Sequence, residues 1–206
     1  MNICVFASGT GSNFEAILKS IKKKYLSSKV LLLITNNSDC GAVNIAIKNK
    51  INTLHISRKL YPTLSQIKFS ELYLSELKKY EIDFIVLAGY MKMLPDDLVM
   101  KYQNRIINIH PALLPSFGGK GMFGINVHKA VISSGVKVSG ITIHFVSEKY
   151  DEGKIIFQKC CEVKYGDDEY SLQKKVLKLE HKYYSEVIKK FEEGKVKIVE
   201  DKVKVI

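Results

Sequence analysis

The stretch Asn108-Ile109-His110-Pro111-Ala112-Leu113-Leu114-Pro115-Ser116 holds the residue types best suited to chemistry. It follows the β-branched run Ile106-Ile107, which reads as the end of a buried strand. Asn108 and His110 are two positions apart, so an extended backbone points both side chains to one face. That face then carries an amide beside a group able to exchange a proton near neutral pH. Pro111 and Pro115 fix φ and remove two donors, so the chain leaves the strand in a stiff, extended loop. The arrangement fits a polarising and proton-transferring station at the C-terminal edge of a parallel sheet. A strand end with a hydrogen-bonded structural histidine is the competing reading.

A carboxylate arrives from a second segment. Gly140-Ile141-Thr142-Ile143-His144-Phe145-Val146 reads as a strand, and Asp151-Glu152-Gly153 as the loop after it. Asp151 beside His110 is expected to raise the imidazole pKa by charge attraction. Read plainly, Asp151 is a turn former before Gly153, and His144 is a core histidine alternating with apolar neighbours. His55, His128 and His181 show no metal-ligand spacing, and no metal is expected.

The third segment is Ser8-Gly9-Thr10-Gly11-Ser12-Asn13, between an apolar strand and a helix. Its glycines allow a tight turn that presents N–H groups to an anion at a helix N-terminus. It is a poor dinucleotide fingerprint, because Phe14 stands where a third glycine allows close helix packing. Gly118-Gly119-Lys120-Gly121 lacks the hydroxyl residue of a phosphate-binding Walker loop and does not follow a strand. A phosphate site is thus favoured over a nucleotide site; an ordinary strand–helix turn is the alternative.

The elements that must position these segments alternate. Strands are expected over Asn2–Ala7, Val30–Thr35, Thr53–Ile56, Asp83–Ala88, Arg105–Ile109, Val138–Val146 and Lys154–Val163. Helices are expected from Asn13, and over Ala42–Lys50, Leu64–Tyr80, Asp96–Tyr102, Asn126–Ser134 and Asp168–Glu193. Ser12 and Glu15 have the spacing of a capping box. The last helix should bury Leu172, Val176, Leu179, Tyr183, Val187 and Phe191, and the tail 196–206 should add an edge strand. Such alternation implies an α/β fold, a doubly wound, mostly parallel sheet with helices on both faces, in one domain spanning 1–206.

Composition bounds the rest. The 206 residues are 46% apolar and 26% charged, with a formal net charge of +11. Most lysines are spread along helices, so a solvated basic face is expected rather than a nucleic-acid surface. No apolar run reaches membrane-span length. Cys4, Cys40, Cys160 and Cys161 have neither zinc nor redox spacing, and no signal or transit segment is read. Reduced thiols and a cytoplasmic location are expected.

In this order the segments resemble the phosphoribosylglycinamide formyltransferases, folate-dependent enzymes of de novo purine synthesis. The resemblance runs from Ser8–Asn13 through Leu87-Ala88-Gly89-Tyr90-Met91, Asn108–Pro115 and Gly140–Gly153 to Glu180-His181. It implies a Rossmann-like formyltransferase fold and small-molecule substrates, with 10-formyltetrahydrofolate as co-substrate. By matched position it makes Asn108, His110 and Asp151 the catalytic trio, and Gly11, Ser12 and Asn13 the ribonucleotide phosphate loop. Gly89, Pro111 and Glu180 would hold the rest of that substrate. Met91, Lys92, Met93 and Leu94 would line the folate pocket with Asn108, and Val146 and Glu148 would close it. The loop Ser116–Gly124 is longer than in many members and resembles the plant-like branch. For the folate's glutamyl tail, Arg58 and Lys68 are the candidates. A monomer or homodimer is expected.

Alternatives differ in testable ways. A methionyl-tRNA formyltransferase core calls for a C-terminal tRNA-binding domain, and a formyltetrahydrofolate hydrolase for an N-terminal regulatory one; neither is read here. A basic RNA-binding module rests on charge alone, and Phe14 disfavours a nicotinamide-dependent oxidoreductase.

Overall fold

Strand β1 (Asn2–Phe6) is buried from Ile3 onward. Apolar residues on both of its faces are what a strand covered on both sides requires. The computed structural model describes residues 1–206 and divides them into two units, Met1–Ile107 and Asn108–Ile206.

In the first unit β1 is followed by α1 (Ser12–Lys22), β2 (Lys29–Thr35), α2 (Gly41–Lys48), β3 (Asn52–His55), α3 (Gln66–Lys79), β4 (Phe84–Leu87) and α4 (Asp96–Lys101). The first two residues of β5 (Ile106–His110) end it. The strand order is β3-β2-β1-β4-β5, and β1 pairs in parallel with both β2 and β4. The chain winds outward from β1 to β3, then returns to lay β4 on the other side of β1. That reversal is the switch point of a doubly wound sheet, where ligands bind beyond the strand ends. The loop after β1 with the first turn of α1, which together hold Gly11–Asn13, and the loop after β4, which holds Gly89–Leu94, flank it.

The start of α1 differs from the expected capping box. Its N-cap is Gly11 at φ +78°, and no side chain caps the helix. A left-handed entry suits glycine, and a Cβ there would lie 2.8 Å from Ala42 Cα. The first turn of α1 is therefore entered without a hydroxyl bonded across it.

In the second unit the end of β5 leads to α5 (Ile125–Ser134), β6 (Val138–Phe145), β7 (Ile155–Glu162) and α6 (Glu169–Glu192). β6 and β7 pair antiparallel. Asp168 and Ser171 form a reciprocal capping box at the start of α6. The buried stripe of α6 is Leu172, Val176, Glu180, Tyr184, Ser185, Val187 and Ile188; Leu172, Val176 and Val187 lie on it as expected, while Glu180 and Tyr184 take the places expected of Leu179 and Tyr183. Tyr183 and Phe191 lie at its margin, stacked on Phe157 at 4.9 Å and edge-on to Phe145 at 5.7 Å. The tail does not extend the larger sheet. It folds into a separate hairpin of β8 (Val196–Val199) and β9 (Lys202–Val205). Glu200 and Asp201 both take positive φ in its two-residue turn, as a hairpin turn matched to strand twist demands.

Candidate active site

The second unit assembles four polar side chains from three segments. Asn108 and His110 stand on β5, His144 near the end of β6, and Asp151 in the following turn. Asp151 Oδ2 lies 3.6 Å from His110 Nδ1, and its Oδ1 lies 3.7 Å from His144 Nε2. One carboxylate thus faces two imidazoles. Asp151 adopts φ +56°, a conformation its short polar side chain tolerates better than most. Gly153 holds the turn against β6, since any Cβ there would overlap the Phe145 carbonyl.

The hydrogen bonds fix the tautomers. His144 Nδ1–H donates to the Phe145 carbonyl at 2.8 Å, which leaves Nε2 to accept from Asn108 Nδ2 at 3.2 Å. Asn108 is thereby oriented, with its second amide hydrogen uncommitted to His144. His110 Nε2–H donates to the Phe117 carbonyl at 2.8 Å, so its Nδ1 faces Asp151 without a proton. Thr142, two residues before His144, donates to the Ala112 carbonyl at 2.7 Å and accepts from Leu114 N–H at 2.9 Å. It pins the proline-flanked loop to β6.

The expected rise in the His110 pKa is corrected. Burial lowers it, and the opposing pull of Asp151 and of the Phe117 bond is smaller. Desolvation outweighs an attraction across 3.6 Å, so the imidazole is neutral near pH 7. Burial likewise lowers His144, and lowers His128 to about 4 with His110 adding like-charge repulsion. His144, read from sequence as a core histidine, is buried and hydrogen-bonded as such and also belongs to this cluster. Its signal was a polar residue two after Thr142 among Ile141, Ile143 and Phe145, which places both on one face.

In the first unit Ser8 joins three segments. Its N–H donates to the Gly89 carbonyl at 3.0 Å, its Oγ donates to Asn36 Oδ1, and Met91 N–H donates to the same Oγ at 3.1 Å. Gly89, at φ +77°, and Met91 are so held beside the base of the Ser8–Asn13 loop. Asn13 is buried and Ser12 half-buried. Met91, Lys92 and Met93 are exposed and Leu94 is buried. Arg58 donates to the Leu64 carbonyl and to Gln66 and lies 4.0 Å from the centre of the Phe69 ring. Its guanidinium is committed locally, whereas Lys68 is exposed. In the second unit Pro111 is half-buried after β5, Glu180 is buried in α6, Val146 is half-buried, and Glu148 is exposed.

The model of the formyl transferase family matches residues 1–188. The chain is 45% identical over 204 residues to the chloroplastic phosphoribosylglycinamide formyltransferase of Arabidopsis thaliana, covering 99% of itself and 70% of that protein. It is 38% identical over 185 residues to the phosphoribosylglycinamide formyltransferase of Bacillus subtilis (strain 168), covering 90% of itself and 91% of that protein. The crystal structure of glycinamide ribonucleotide transformylase 1 from Symbiobacterium toebii superposes with a TM-score of 0.91 at 33% identity, covering 100% of this chain and 94% of that one.

Proposed function

The chain belongs to the formyl transferase family, and we propose that within it the chain transfers the formyl group of 10-formyltetrahydrofolate to the amine of 5-phosphoribosylglycinamide. The products are formylglycinamide ribonucleotide and tetrahydrofolate, in a step of de novo purine synthesis. The observation that carries the reading is the convergence of Asn108, His110 and Asp151, in a chain so similar to enzymes bearing that name.

The reaction forms a bond from the amine nitrogen to the formyl carbon and breaks that carbon's bond to the folate nitrogen. One proton leaves the amine and one arrives on the folate nitrogen, so none is consumed. Negative charge gathers on the formyl oxygen in between. Asn108 donates to it through the amide hydrogen not given to His144; one such donor is worth about 3 kcal/mol. Neutral His110 takes the amine proton at Nδ1, directly or through a water, and the resulting imidazolium rests against Asp151. The same proton then serves the departing folate nitrogen.

The remaining roles follow the matched positions. Gly11, Ser12 and Asn13 take the phosphate, and Gly89, Pro111 and Glu180 hold the rest of the ribonucleotide. Met91, Lys92, Met93 and Leu94, with Val146 and Glu148, take the folate, the first four chiefly through their backbone. The net charge of +11 suits a phosphate and folate carboxylates. No helix is long and apolar enough to cross a membrane. The substrates are small molecules, the setting is cytoplasmic, and the four cysteines are free thiols.

A spectrophotometric assay with both substrates, and with each omitted, tests the reading. Tetrahydrofolate should form only when both are present. Its formation without the ribonucleotide would instead mark a hydrolase.

A further inference from the structure

We propose that the longer loop between β5 and α5 is a positioning device: the Phe117 carbonyl and the Gly119 N–H hold His110 and Asp151 in register. The inference rests on the formyl-transfer reading of the same site and assigns the loop a role in it.

The contacts close a ring. His110 Nε2–H donates to the Phe117 carbonyl at 2.8 Å. Two residues on, Gly119 N–H donates to Asp151 Oδ2 at 2.9 Å. That oxygen is the one 3.6 Å from His110 Nδ1. The carbonyl determines which nitrogen of His110 carries the proton, and the N–H determines which way the carboxylate turns. Both bonds come from one three-residue stretch, so neither group can move without disturbing the other.

The backbone of that stretch is costly to form. Phe117 takes φ +57°, where a bulky aromatic residue is an outlier, and Gly119 takes φ +96°. Between them Gly118 is packed against the side chains of Leu114 and Asp151. A Cβ there would lie 2.6 Å from Leu114 Cδ2 and 3.3 Å from Asp151 Cβ. A side chain at 118 therefore has to displace the Leu114 methyl and crowd Asp151, and the conformation at 119 suits glycine. A left-handed aromatic residue persists only where its surroundings hold it, and such strain gathers at functional sites.

Gly118→Ala is the direct test, with Lys120→Ala, an exposed change in the same loop, as the control. Gly118→Ala should lower kcat about tenfold or more, the scale of a small misplacement, and leave both KM values within about threefold. It should also move the acid limb of the kcat profile to lower pH. The Phe117 bond favours the charged imidazole, so losing it makes His110 harder to protonate. Asp151, His144 and His128 are the other titrating groups that act on His110, and the substitution deletes none of them. A merely structural loop would lower kcat and melting temperature without moving that limb or the His110 NMR titration, and this result would overturn the proposal.

Nitrogen-15 NMR of the wild-type protein covers the case in which the variant fails to fold. His110 should carry its neutral-state proton on Nε2, and a proton on Nδ1 would overturn the proposal. These spectra need no substrate. A failed formyl-transfer assay beside the expected tautomer would sink the reaction and leave the positioning intact.

Discussion

His110 is held neutral by burial although Asp151 pulls the other way, and the sign of that balance sets its pH behaviour. A group that works as a base must shed its proton first, so activity should rise with pH through a value below the ordinary 6.5 or so and level off by neutrality. Asp151→Asn removes the charge and keeps most of the shape. It should push the His110 titration lower still and cut kcat by about two orders of magnitude or more. KM should change much less, because the lost interaction belongs to the transition state. Comparing the imidazole titration by NMR in wild type and variant checks the coupling; identical curves would refute it even if activity were lost. The spacing of Asn108 and His110 was legible because strand periodicity is local. The part played by His144 was not, since it depends on which strand lies beside which. Nor was the sign of the His110 shift, because burial is a property of the assembled core.

The turn from β1 into α1 shows what an element adds to its residues. Ser12 and Glu15 have the spacing of a capping box, yet the chain enters the helix through Gly11 in a left-handed conformation. Spacing alone could not reveal this, because the close approach to Ala42 comes from the neighbouring helix. Gly11→Ala should destabilise the fold by at least about 1–2 kcal/mol from φ alone, before the clash with Ala42. It should also raise KM for the ribonucleotide well above any change in KM for the folate. Urea unfolding and steady-state kinetics on one preparation check both, and an equal rise in the two KM values would count against the phosphate assignment. Apolar periodicity found every strand of the larger sheet and every helix to within a few residues. It read the tail as one edge strand rather than the separate β8–β9 hairpin, whose Glu200-Asp201 turn lacks the usual asparagine or glycine.

At the scale of the whole molecule, three buried histidines bias stability toward neutral pH. His110, His128 and His144 all titrate lower in the fold than in an open chain. Between the two values the unfolded chain binds more protons, so stability falls as pH falls below about 6.5. For His128 the loss continues down to about 4. The lowered carboxylates Asp167, Asp168 and Glu193 act in the same direction but below their own ordinary values, at more acid pH. The urea midpoint should therefore drop between pH 7 and pH 5. His128→Gln should flatten that slope whatever it does to the stability at pH 7, and an unaltered slope would exclude His128 as a source.

Ser8 carries a consequence of another kind. Its main chain holds Gly89 and its hydroxyl holds Met91, while the residue itself roots the Ser8–Asn13 loop. On the roles proposed above, one residue then belongs to the seats of both substrates. Free energy shared between two binding events is reciprocal: the factor by which one ligand tightens the other is the same in both directions. The two binding isotherms are then not independent. Titrating each substrate calorimetrically with and without the other should show one fold-change in both directions, and unchanged affinities would show that Ser8 does not link the two seats.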